Sequence, residues 1–287
     1  MQQFFSRVLP LAAGILLNAM PATADEKFRV CADPLNPPFS DRNGKGFENK
    51  IAELFAKELD KTVEYTWFPQ RIGFIRNTLK AKLPDTDEYK CDVVMGVPAG
   101  YELTLTTRPY YRSAYVLVYV KNKAWDDLES IEDLANLPPE RKKKIRFAMF
   151  DRGPGTAWLQ QNGMISQSTP YQSMSGDPDN NTAMILEKDL KAGAVDMVII
   201  WGPLAGYIVS ASKPGTYGVL PMKSGPGMKF EYSIAMGVRH GDKETKARLD
   251  RLIEEKSSEI KQILLGYNIP LLELDNSPEQ EREQDDD

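Results

Sequence analysis

The chain has 287 residues, 41% of them hydrophobic and 27% charged, with a formal net charge of −5. That length and apolar content can bury one large or two ordinary domains, and the acidic balance offers no basic patch for nucleic acid. A single histidine, His240, excludes histidine metal clusters and every triad that needs an imidazole base.

Residues 1–24 read as a secretory leader. Arg7 precedes an apolar run from Val8 to Met20, and Ala22-Thr23-Ala24 is a small-residue cleavage site. The run is too short, and too broken by Pro10 and Asn18, to span a membrane. No cysteine follows it directly, so the expectation is a freely soluble periplasmic protein that starts at Asp25.

The mature part opens with an apolar strand, Phe28 to Ala32, a proline-broken loop from Asp33 to Ser40, and a helix starting at Gly46-Phe47-Glu48. Phe47, Ile51, Leu54, Phe55 and Leu59 fall on one helical face. Strand, loop and returning helix are half of a βαβ unit, and ligands of open α/β sheets sit at such loops. Thr62 to Phe68 predicts a second strand, Ile72, Ile75 and Leu79 a second helix, and Cys91 to Gly96 a third strand ending in a loop through Tyr101. Cys31 and Cys91 then lie on neighbouring strands; in an oxidising compartment an even count points to a disulfide, with two buried thiols as the alternative.

Ala114 to Lys121 predicts a strand that crosses between lobes, and Ser130 caps a helix that must end before Pro138-Pro139. Ile145 to Phe150 is a strand, Asp151-Arg152-Gly153-Pro154-Gly155-Thr156 a tight loop, and Ala157 to Asn162 a helix. The loop either presents backbone amides to an anion or is a plain βα turn. Met184 to Ala192 predicts a helix, Asp196 to Trp201 a strand ending at Gly202-Pro203, Glu231 to Val238 a return strand, and Lys243 to Leu264 one long helix. His240 is expected on a surface turn. The stretch from Asp275 to Asp287 is acidic with no large apolar residue, which predicts disorder.

The Gly46-Phe47-Glu48 opening with Ile51, Leu54, Phe55, Ala56 and Leu59 resembles the signature of bacterial extracellular solute-binding proteins of the amino-acid-binding type (family 3). The resemblance implies a two-lobed α/β fold, each lobe a mainly parallel sheet flanked by helices. Lobe one would hold 25–110 and 234–274, lobe two 111–233, with hinge segments near 110–114 and 229–233. The segments Arg29 to Pro34, Gly46 to Asn49, Pro69 to Arg71, Cys91 to Tyr101 and Thr107 to Ser113 resemble, more narrowly, the J-type proteins of methanol oxidation clusters. That resemblance implies a non-enzymatic accessory factor that assembles or activates a quinoprotein methanol dehydrogenase. No tightly bound cofactor is expected, and handling of pyrroloquinoline quinone (PQQ) stays open; the competing account is a transporter receptor for a small polar solute.

Amino-acid binders of this type carry an arginine after the strand that matches Cys91 to Gly96 and an acid after the matching strand of lobe two. This chain has Gly100 to Thr104 and Trp201 there. Arg108 and Arg112 are either substitutes or members of ion pairs. The expected cleft or partner residues are Asp33, Phe39, Arg71, Gly96, Pro98, Tyr101, Arg108, Tyr110, Tyr111, Arg112, Asp151, Arg152, Gly153, Gly155, Thr156 and Trp201, with the dehydrogenase or its subunit docking on exposed aromatics and arginines of the rim. The free protein is expected to be a monomer.

Overall fold

The computed structural model describes residues 26–150, 153–173, 177 and 179–274. The leader, the acidic tail, Asp151 and Arg152 therefore lie outside the described residues.

The chain begins β1 (Lys27–Ala32), β2 (Leu35–Asn36), β3 (Ser40–Asp41), α1 (Phe47–Glu58), β4 (Thr62–Trp67), α2 (Phe74–Asn77), β5 (Val93–Pro98) and β6 (Leu105–Thr106). Next come β7 (Tyr111–Val120), α3 (Ile131–Ala135), α4 (Pro139–Lys142), β8 (Phe147–Phe150), α5 (Pro154–Gln161), β9 (Ser168–Tyr171), α6 (Thr182–Ala192), β10 (Met197–Trp201), α7 (Gly202–Ser210) and β11 (Tyr217–Pro221). It closes with β12 (Glu231–Val238), α8 (Lys243–Glu255), α9 (Ser257–Gly266) and β13 (Leu271–Leu272).

The main sheet runs β4-β1-β5-β12-β7-β10-β8-β9. On the lobe-one side β1 is parallel to β4 and β5; on the lobe-two side β8 is parallel to β9 and β10. Parallel strands covered on both faces must be apolar throughout. Accordingly Val30, Val93 and Met95 join the core beneath α1, α8 and α9, while Cys31 and Val94 join a second cluster with Phe74, Ile75 and Leu79. Lobe two has its own two cores, one around Leu117, Phe147 and Ile199 and one around Val118, Leu186 and Ile208.

The strand β7 belongs to both halves. Tyr111 to Ala114 pair with β12, and Tyr115 to Tyr119 pair with β10. The chain end returns to the same place, since β13 pairs with Ser113 and Arg112. Cys31 and Cys91 are joined in a disulfide with a Cα–Cα distance of 5.4 Å.

Four local expectations are corrected. The helix over Ile72 shrinks to α2, because Gly73 at φ 90° turns the chain after Ile72 and leaves that side chain 90% exposed. α5 starts at Pro154 rather than Ala157, since a proline's fixed φ and missing N–H suit a helix's first turn. α7 begins at Gly202-Pro203, where only a strand end is expected; it is apolar nearly all round and buried through Pro203, Ala205 and Ile208, so it shows no amphipathic stripe. The long C-terminal helix breaks at Lys256, which leaves the helical region (φ −107°, ψ 16°), before the weak helix formers Ser257 and Ser258. The break lets α9 pack on α1.

Candidate functional site

The loop after β1 is braced by one side chain. Asp33 Oδ1 accepts the Leu35 N–H at 2.8 Å, Oδ2 accepts the Gln70 N–H, and the Ser40 hydroxyl donates to the Asp33 carbonyl at 2.9 Å. The buried Asn49 of α1 accepts from Asp41 N at 3.0 Å and Gly46 N at 3.1 Å, which pins the loop's far end to the helix start. Glu48 follows immediately, its N–H donating to the Phe39 carbonyl at 2.9 Å.

These residues form one wall of a cleft of about 400 Å³ between the lobes. Asp33, Phe39, Glu48, Gly96 and Pro98 line it from lobe one; Phe150, Gly153, Gly155, Thr156, Asn181 and Trp201 line it from lobe two. Between them lie Tyr111 and Tyr115 of β7 and Tyr232 of β12. Trp201, Tyr115 and Tyr232 form a ring cluster, with centroids 5.4 Å (Tyr115–Trp201), 5.9 Å (Trp201–Tyr232) and 6.2 Å (Tyr115–Tyr232) apart.

Glu48 is half-buried and its carboxyl rests against β5. A Cβ on Gly96 would stand 2.4 Å from Glu48 Oε1, so only glycine admits the carboxyl there. Among the described residues no group donates a hydrogen bond to that carboxyl, and burial, reinforced by the charge of Asp33, pushes its pKa up to about 8. Glu48 is therefore mostly protonated at neutral pH.

The glycine loop of lobe two is explained by packing. A Cβ on Gly155 would meet Ile199 at 2.9 Å, and the Thr156 hydroxyl donates to the Phe150 carbonyl. The first turn of α5 is thus held tight to β8 and β10 while its end faces the cleft.

Of the expected residues, Asp33, Phe39, Gly96, Pro98, Tyr111, Gly153, Gly155, Thr156 and Trp201 share this cleft. Five others lie elsewhere. Arg71 stacks over the Phe68 ring at 5.3 Å, and Tyr101 packs against the cluster around Cys31. Tyr110 is buried, donating to the Met95 carbonyl at 2.9 Å. Arg108 pairs with Glu254, and Arg112 pairs with Glu231 and donates to the Glu273 carbonyl at 3.3 Å. Asp151 and Arg152 lie outside the described residues. Sequence reasoning passed over Glu48, Asn36, Gln70, Asn181, Tyr115 and Tyr232. Glu48 was legible as the acid of the Gly-Phe-Glu opening, whereas Asn181 reads only as a helix cap.

No family model matches the chain. It is 28% identical over 282 residues to Protein MoxJ of Paracoccus denitrificans, covering 93% of this chain and 98% of that one. The crystal structure of periplasmic binding protein XoxJ from Methylobacterium extorquens AM1 superposes with a TM-score of 0.67 at 31% identity, over 86% of this chain and 100% of that chain. The chain belongs to the MoxJ/XoxJ family of periplasmic binding proteins. MxaJ from Methlophaga aminisulfidivorans MPT, at 23% identity and a TM-score of 0.66 over 85% of this chain and 100% of that one, shares the fold.

In this J-type chain the cleft is apolar and aromatic with a few carboxyl and amide groups. None of its described lining residues is a lysine or arginine. Among the described residues no cluster of three metal-ligating side chains is present, and no helix is long and apolar enough to cross a membrane. The arrangement is that of a binding cavity.

Proposed function

We propose that this protein is a periplasmic, non-enzymatic accessory factor of methanol oxidation that assists the assembly or activation of a PQQ-dependent methanol dehydrogenase. The reading is carried by its likeness to XoxJ across the whole of that chain. Exposed apolar side chains support it: Ile72, two residues after the cleft-lining Gln70, is 90% exposed, and Leu103 is 47% exposed, so apolar groups are offered to a partner.

The cleft does not favour PQQ itself. PQQ carries three carboxyl groups, which would be desolvated against Asp33 and Glu48 with no cation among the described lining residues. Free amino acids meet the same obstacle through their carboxylate.

Deleting the gene should lower periplasmic methanol dehydrogenase activity while the dehydrogenase subunit remains present. Restoring it with Ile72→Asp should give weaker co-purification of the dehydrogenase at unchanged melting temperature, because exposed substitutions shift stability by only about 0.5 kcal/mol. Normal activity in the deletion strain, with no dehydrogenase on the purified protein, would leave solute capture as the better account.

A further inference from the structure

Glu48 is the group in the cleft that the accessory reading does not use. Asp33 spends its carboxylate on two backbone N–H groups, but Glu48 has no donor among the described residues and opens on the cavity. A half-buried carboxyl left without a donor is costly to ionise, and natural sites keep one where a ligand completes it. The rest of the cavity is aromatic, and the faces of Trp201, Tyr115, Tyr232 and Phe39 attract positive charge.

We propose that the cleft binds a small organic ammonium ion, with the Glu48 carboxylate as its counter-charge and the aromatic rings around its apolar body. An anion would face the carboxyl groups of Asp33, Glu48 and Asp177, and a neutral molecule would leave Glu48 protonated and draw nothing from its carboxylate. Arrival of the ammonium group ionises Glu48, and the proton leaves to solvent. The groups facing Glu48 are Asp33 from the loop after β1, Tyr65 of β4, Tyr110 just before β7 and Tyr111 of β7. Burial holds all three tyrosines above the ordinary phenol range, so they stay neutral across the range in which Glu48 titrates. The site stands apart from the question of a protein partner.

The test is calorimetry on the purified protein with three probes of one shape: benzylamine, benzyl alcohol and benzoate. Benzylamine should bind saturably, about tenfold or more tighter than benzyl alcohol, and benzoate should not bind. Affinity for benzylamine should rise from about pH 6.5 to about pH 8.5 as Glu48 ionises more readily. Glu48→Gln should lose the preference for the amine while keeping a cooperative melt. Equal binding of amine and alcohol, or an amine affinity that falls with pH, would overturn the proposal without any variant. These readouts do not involve the dehydrogenase, so their failure leaves the accessory role standing, and a deletion strain without phenotype leaves the ammonium site standing.

Discussion

Tyr111 sits where an interface reading of the rim and a packing reading make opposite predictions. It is 3% exposed, edge-on to Phe47 at 6.1 Å and edge-on to Tyr110 at 5.0 Å, so it belongs to the core of lobe one rather than to an exposed rim. Tyr111→Ala should therefore cost about 3–5 kcal/mol in a denaturant melt, the range for truncating a buried aromatic. A melt within about 0.5 kcal/mol of wild type would return the ring to the surface. Glu48 gives a second test at this scale. Its folded pKa lies above its ordinary value, so the folded state holds the proton more tightly, and stability falls as pH rises from the unfolded value near 4.5 to about 8. Above that the loss is complete. Glu48→Gln should flatten this slope, and a slope unchanged by the substitution would locate the titration elsewhere.

At the scale of elements, periodicity and punctuation made much of the fold legible. The apolar face of α1, the Ser130 cap of α3 and the glycine that ends α6 all carry local signals, and β12 is where its strand formers put it. What stayed hidden lacked such signals. α7 is apolar nearly all round and so has no period to read, and the break at Lys256 is made by packing of α9 on α1 rather than by proline or glycine. The cleft was legible at its backbone loops, while the positions of Arg108 and Arg112 depended on Glu254 and Glu231, acids more than a hundred residues away in sequence. The disulfide ties β1 to the residue that leads into β5, across a separation of 60 residues. In the chain-entropy account, a loop of that length makes reduction cost about 4 kcal/mol. Comparing unfolding with and without reductant, at unchanged cleft binding, checks it. A difference under about 1 kcal/mol would mean the reduced chain retains that loop closure by other contacts.

At the scale of the whole molecule, the cores of the two lobes share one strand, β7, and the mouth of the cleft carries a contact that crosses between the lobes. The Asn181 side chain caps α6 through Oδ1, which accepts the Ala183 N–H at 2.7 Å. Its Nδ2 reaches across to lobe one, donating to Asn36 Oδ1 at 2.9 Å and to the Leu35 carbonyl at 3.4 Å. The two roles use different ends of one amide, so they can be separated. Asn181→Asp keeps the capping oxygen, and aspartate caps as well as asparagine. It also replaces the donor with an oxygen that faces two acceptors. Losing two hydrogen bonds of about 0.5–1.5 kcal/mol each should move the closed-to-open equilibrium by roughly tenfold. The expected outcome is a larger radius of gyration by small-angle scattering at nearly unchanged melting temperature, because α6 and the cores of both lobes remain intact. The strands β7 and β12 would act as the hinge, their pairing preserved while the segments on either side rotate. Scattering identical to wild type would show that the closed arrangement is held by the cores and the β7 ladder alone, and that the asparagine pair is a consequence of closure rather than a cause.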